Sequence, residues 1–125
     1  CQIVPESVFA KLQPGDLLSI DSSHAVKIGS ELSRIYTEII PCLPANVFIH
    51  VHDIRFPYLY GRRMSPSFDS SQEPLLLLAL LVNNEHLSIL CCLSGLHYDR
   101  PEALKEVNST GTTPAIVIGL LSFTL

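Results

Sequence analysis

Residues 17–53 read LLSIDSSHAVKIGSELSRIYTEIIPCLPANVFIHVHD, and the fold turns on how they are divided. Leu17-Leu18-Ser19-Ile20 is a short apolar run that stops at the polar Asp21-Ser22-Ser23-His24. Leu32, Ile35, Tyr36, Ile39, Ile40 and Leu43 then recur at helical spacing and define one apolar face. Ser30 is placed to cap that helix, Glu31 sits near the positive end of its dipole, and Pro41 and Pro44 bound its far end. Val47 to His52 is rich in β-branched residues and reads as a second strand. A strand, a crossover helix and another strand predict a parallel unit, right-handed as nearly all such units are.

Both strands end in residues able to do chemistry. Asp21 closes the first and His52-Asp53 the second. Ligands of open parallel sheets sit outside the carboxyl ends of the strands. If the two strands are neighbours, about 4.8 Å apart, Asp21 and Asp53 share one mouth with His24 and His52 beside it.

The chain has 125 residues, the length of one domain. With 8 Lys+Arg against 12 Asp+Glu it lacks the basic stripe of a nucleic-acid-binding surface. The apolar run from Leu75 to Val82 is too short to span a bilayer, and no signal peptide is visible. Cys1, Cys42, Cys91 and Cys92 form no C-x-x-C pair. They read as reduced and mostly buried, which places the protein in the cytoplasm. The first residue is Cys1 rather than Met, read here as the cut edge of a longer chain.

Outward from the central unit, Glu6 to Leu12 reads as a short helix and Gln13 to Asp16 as a turn. After Asp53 comes a long aromatic and basic loop, Ile54 to Phe68, with Arg55, Phe56, Tyr58 and Tyr60 at its start and Arg62 and Arg63 further on. It is either a wall or lid for substrate, or a loop whose aromatics pack on the body. A helix follows, beginning near Ser70 or Ser71 with Glu73 and Pro74 in its first turn and ending near Asn83-Asn84. Its leucines are apolar on every side, so it is buried between layers or faces a partner. Leu87 to Leu93 reads as a strand, Ser94 to Pro101 as a loop, Glu102 to Val107 as a helical turn, and Ala115 to Leu121 as a last strand paired with Leu87–Leu93.

The run from Ile20 to Tyr60 resembles the second half of class I S-adenosylmethionine-dependent methyltransferases. The branch is the one with Asp-x-x-His after the fourth strand and His-Asp after the fifth. Asp21-Ser22-Ser23-His24 and His52-Asp53 match those motifs, and Phe56-Pro57-Tyr58 and the Gln72-Glu73 helix start are also similar. The family's Gly-rich loop and its acidic residue after strand two have no counterpart here. Pro44-Ala45-Asn46 stands where Pro-Gly is usual, and Asn46 can take the left-handed turn.

The resemblance implies an α/β fold, a partial Rossmann-like sheet equivalent to strands four to seven. It has parallel strands, a C-terminal antiparallel pair and helices on the faces, in one truncated domain over residues 1–125. It implies methyl transfer from S-adenosylmethionine to an oxygen or nitrogen of a small molecule or sugar. His24, His52 and Asp53 would be catalytic, Asp21 and Ser22 near the cofactor, and Asp21 and Asp53 on magnesium or another divalent metal. Arg55, Phe56, Tyr58 and Tyr60 would face the substrate. His24 is either the general base or a histidine that bonds Asp53 or backbone and shapes the mouth. His50 reads as a core histidine, and His86 and His97 as surface or loop residues.

Two other readings compete: a non-catalytic scaffold module that oligomerises through an apolar edge, and a metal-dependent hydrolase built on Asp21, His24, His52 and Asp53. The open edge of a half sheet predicts a homo-oligomer.

Overall fold

In the computed structural model, Leu17–Ile20 (β1) and Phe48–Val51 (β2) lie side by side and parallel, with Leu17 opposite Phe48 and Ile20 opposite Val51. The ladder continues past both ends: Phe48 N donates to the Asp16 carbonyl and His52 N to the Ile20 carbonyl. The adjacency that spacing alone left open therefore exists, and the two polar strand ends emerge together. The structure describes residues 4–58 and 72–103, and the backbone of 120–123.

Leu87–Cys91 (β3) and Leu120–Phe123 (β4) complete a sheet of order β1-β2-β4-β3. β4 runs antiparallel to both neighbours, Ile49 facing Leu121 on one side and Ile89 facing Leu121 on the other. This is a small α/β arrangement, a parallel pair joined to a C-terminal antiparallel pair. The expected pairing of the last strand with Leu87–Leu93 is present. That strand was expected over Ala115–Leu121; its first five residues lie outside the described ones.

Along β2 the side chains alternate. Ile49 and Val51 are fully buried, while Phe48 and His50 are half-buried on the opposite face. The buried face meets the crossover segment. Glu31–Arg34 (α2) begins at Ser30, whose side chain accepts from the Ser33 amide as expected of a cap. Leu32, Ile35, Tyr36, Ile39, Ile40 and Leu43 are all buried, so the apolar stripe read from the sequence is the core face. Burying each such side chain contributes about 1.5–3 kcal/mol.

The helix is not regular, however. After Arg34 it widens into a π turn over Ile35–Ile39, closed by Ile40 N on the Ile35 carbonyl, and then tightens into a 3-10 turn over Ile40–Cys42. Pro41 is the physical reason. It has no amide hydrogen to offer the Thr37 carbonyl, and its ring crowds that carbonyl. The widened turn accommodates this without breaking the stripe. Asn46, with φ 62°, takes the left-handed conformation expected of it at the entry to β2.

Glu6–Phe9 (α1) is shorter than the expected Glu6–Leu12, although Phe9 and Leu12 both pack on the core. Glu73–Leu81 (α3) has Gln72 at its cap and Pro74 in its first turn. Ser70 and Ser71, the expected caps, lie outside the described residues. α3 buries Glu73 and Leu77 and leaves Leu75 exposed, so it is not covered on every side. It ends as expected near Asn83, which turns left-handed with φ 55°.

The loop expected over Ser94–Pro101 is instead mostly a helix, Leu93–Asp99 (α4). Gly95 is buried there, and a Cβ on it would lie 3.2 Å from the Pro57 ring carbon. Of the cysteines expected to be mostly buried, Cys91 and Cys92 are half-buried, whereas Cys42 is exposed. The 3-10 turn carries Cys42 to the rim of a cleft of about 150 Å³ shared with Glu6, Ser7 and Glu38. Among the described residues, no helix is long and apolar enough to cross a membrane.

Candidate functional site

The site is built on the loops that leave β1 and β2. After Ile20 the chain turns through Asp21-Ser22-Ser23 to His24, which has φ 56°. Two outside groups hold this turn. The Glu31 carboxylate accepts from the Ser23 amide at 2.8 Å, and the His24 carbonyl accepts from the Gln72 amide at 3.1 Å. The bond from the Ser23 backbone keeps the Glu31 carboxyl below its ordinary value. Beyond β2, Asp53 is also left-handed, with φ 56°. A non-glycine residue in that region costs about 1–3 kcal/mol, a conformation sustained only when its surroundings insist on it.

The surroundings centre on Glu73, which has no exposed surface at all. Its carboxylate accepts from Tyr36 OH at 2.9 Å on Oε1 and from Ser22 Oγ at 3.1 Å on Oε2, and His24 Nδ1 is hydrogen-bonded to the same Oε2 at 2.6 Å. Ser22 Oγ in turn accepts from the His24 amide at 3.3 Å, which leaves its own hydrogen free for Glu73. Glu73 also lies in the first turn of α3, where the helix dipole favours negative charge.

From this buried anchor the groups run outward. His24 Nε2 is 3.8 Å from Asp53 Oδ2. Asp53 Oδ1 is 3.4 Å from His52 Nδ1, and Asp21 Oδ1 lies 3.7 Å from the same nitrogen. These last separations are ion-pair distances rather than well-formed hydrogen bonds. His52 Nδ1 is buried and has no hydrogen-bond partner among the described residues. His50 is half-buried and meets Ser19 Oγ at 3.2 Å across the strand pair; its ring stands edge-on to His52 at 6.0 Å.

The sequence-predicted residues Asp21, His24, His52 and Asp53 are therefore brought together at one mouth. Ser22, expected at a cofactor, spends its hydroxyl on Glu73. Of the loop residues, Phe56 packs against the core, and its carbonyl accepts from Cys92 Sγ and Ser94 Oγ. Tyr58 donates to Asp99 Oδ1 at 2.6 Å and stands edge-on to Tyr98 at 5.3 Å. Asp99 thereby holds the Tyr58 phenol above its ordinary value. The start of the loop thus docks on α4, the packing alternative for its aromatics as far as Tyr58. Arg55 is half-buried, and Tyr60, Arg62 and Arg63 lie outside the described residues.

Glu73 and Tyr36 escaped the sequence reading as site residues. A tyrosine within an apolar stripe must bring its hydroxyl to some partner, and that was the available signal. Among the described residues, no three His, Cys, Asp or Glu side chains converge as a metal site requires. Asp21 and Asp53, expected on a divalent metal, flank Nδ1 of the His52 ring. No step is routed through a metal.

Tyr36 makes the anchor sensitive to alkali. Burial, then the negative charge of Glu73 and the bond to it, push the phenol far above its ordinary 10.0. Below that pH the phenol is protonated whether the chain is folded or not. Above it, the unfolded chain loses the proton and the folded chain keeps it. Stability should then fall by about 1.4 kcal/mol per pH unit through this group. Urea midpoints of wild type and Tyr36→Phe should differ most below pH 10.0 and converge above it. A difference that stays constant with pH would contradict this.

In comparisons with known proteins, no family model, no curated protein and no solved structure matches this chain.

Proposed function

We propose that the mouth formed by Asp21, His24, His52 and Asp53 is the acceptor side of an S-adenosylmethionine-dependent methyl-transfer site, with His24 as general base toward a hydroxyl of a small molecule. The observation that carries this reading is the imidazole of His24, seated on a fully buried carboxylate and exposing its other nitrogen beside Asp53. Imidazole is the side chain suited to taking a proton near neutral pH. The strand arrangement supports it too, since the resemblance implies a parallel pair followed by an antiparallel pair. So does Glu73, which belongs to the helix start that shares the resemblance.

S-adenosylmethionine, when bound, supplies a methyl group on a positively charged sulfur. Asp21 and Asp53 at the mouth match that charge. The chain's own residues position the acceptor and take its proton, and most of the acceleration comes from alignment.

The test is titration calorimetry of the chain with S-adenosylmethionine, followed by transfer of labelled methyl to a panel of small hydroxylated acceptors. Saturable binding with label transfer is the expected result, and it requires the chain or an oligomer of it to rebuild the donor site, because the family's Gly-rich loop has no counterpart here. The absence of both binding and transfer would overturn the proposal.

A second reading, an oligomerising module, draws on the edges of the sheet. β1 has a neighbour on one side only among the described strands, and Leu17 on it is exposed. On the opposite edge Ile89 and Leu90 of β3 are exposed as well. Apolar strands with open edges template association. Light scattering at high concentration should report a dimer or larger species, and a monodisperse monomer would remove this reading.

A further inference from the structure

The contacts of His24 distinguish its two ring nitrogens. Nδ1 lies 2.6 Å from Glu73 Oε2, the short separation of a charge-assisted hydrogen bond. Nε2 lies 3.8 Å from Asp53 Oδ2, too far for a bond that would require a hydrogen there. Tyr36 OH and Ser22 Oγ both donate to Glu73, and an ionised carboxylate has no hydrogen of its own to give to His24 Nδ1. Glu73 is fully buried, and a buried acceptor is paired with the donors within its reach, which calls for a hydrogen on Nδ1.

We propose that Glu73 is a positioning residue that locks His24 in a single tautomer, hydrogen on Nδ1 and lone pair on Nε2, and so decides which nitrogen takes the acceptor's proton. Tyr36 and Ser22 hold Glu73 rather than His24 itself, and their role is to keep that carboxylate aimed. The backbone contributes as well, because the left-handed turn at His24 and the bond from Gln72 to its carbonyl fix where the ring starts.

The inference deepens the methyl-transfer reading and rests on it for the chemical step alone. In that step the acceptor hydroxyl gives its proton to His24 Nε2 as its oxygen bonds to the methyl carbon. The pair from the breaking carbon–sulfur bond stays on sulfur, leaving a neutral thioether. The imidazolium so formed lies between the carboxylates of Glu73 and Asp53, whose charges stabilise it. Glu73 touches neither substrate nor donor in this scheme and acts only through the histidine.

The test is nitrogen-15 NMR of the full chain in mildly alkaline buffer, where a free imidazole is neutral. Long-range proton–nitrogen correlations separate a protonated ring nitrogen from a bare one, and the His24 signals are assigned by their loss in His24→Asn. The expected spectrum shows a protonated Nδ1 and a bare Nε2. A hydrogen on Nε2, or two averaged nitrogens as in a free imidazole, would overturn the proposal.

Glu73→Gln should shift His24 toward averaged tautomers, whereas Tyr36→Phe, which leaves Glu73 Oε2 intact, should not. An unchanged His24 spectrum in Glu73→Gln would also overturn it. Since the spectrum needs no methyl donor, a locked His24 without any label transfer would sink the methyl-transfer reading and leave this one standing. Transfer with an averaged His24 would do the reverse.

Discussion

Glu73→Ala should lower the unfolding free energy by about 1–3 kcal/mol, because it removes the acceptor that a buried hydroxyl depends on. The carboxylate is wholly inaccessible, and Tyr36, one of its three donors, is itself only 3% exposed. Truncation removes the acceptor of the Tyr36 hydroxyl. A buried donor without a partner costs about 1–3 kcal/mol. His24 and Ser22 are half-buried and can recover water, so their share is smaller.

A domain of this size has about 5–15 kcal/mol in all. The variant should therefore show a much lower urea midpoint and lose the left-handed turn at His24 with it. A loss below about 1 kcal/mol would mean that the cluster does not organise the fold. Glu73→Gln keeps the volume and should be milder, although its amide presents donors to groups that already donate.

His24→Ala should reduce methyl transfer by about 10²–10⁴-fold, the usual contribution of a positioned base. Affinity for S-adenosylmethionine should change little, because His24 is assigned to the acceptor. A calorimetric titration and a transfer rate on the same variant separate the two effects. Equal loss of both would show that the variant had disturbed the mouth as a whole, and an unchanged rate would remove His24 as the base. Asp53→Asn should be weaker than His24→Ala, since Asp53 stands at ion-pair distance and stabilises charge without carrying the proton.

The parallel pair and its crossover were legible because their signals are local and agree. β1 and β2 end where the polar residues begin, the stripe from Leu32 to Leu43 is buried throughout, and Asn46 and Ser30 do what their side chains favour. The mouth was legible for the same reason, as a product of strand ends.

Glu73 was not. At the start of a helix a glutamate ordinarily faces solvent, and nothing near it in sequence announces Ser22, His24 and Tyr36, which lie 37 to 51 positions away. The π turn was hidden because Pro41 reads as a helix end, whereas the chain widens upstream of it instead. α4 was hidden by Ser94-Gly95, which reads as loop punctuation. Glycine is poor in a helix by about 1 kcal/mol, but here the Pro57 ring leaves little room for a side chain.

The paired left-handed residues His24 and Asp53 bear on how a ligand would be received. Both side chains leave backbone in an uncommon shape, and the turn that carries His24 is fastened by Glu31, Gln72 and Glu73. The freedom of the His24 turn is spent during folding, so little of it remains to be frozen when a molecule arrives. Association at such a mouth carries a smaller ordering penalty, and selectivity comes from the fixed spacing of its charges rather than from adjustment around the guest.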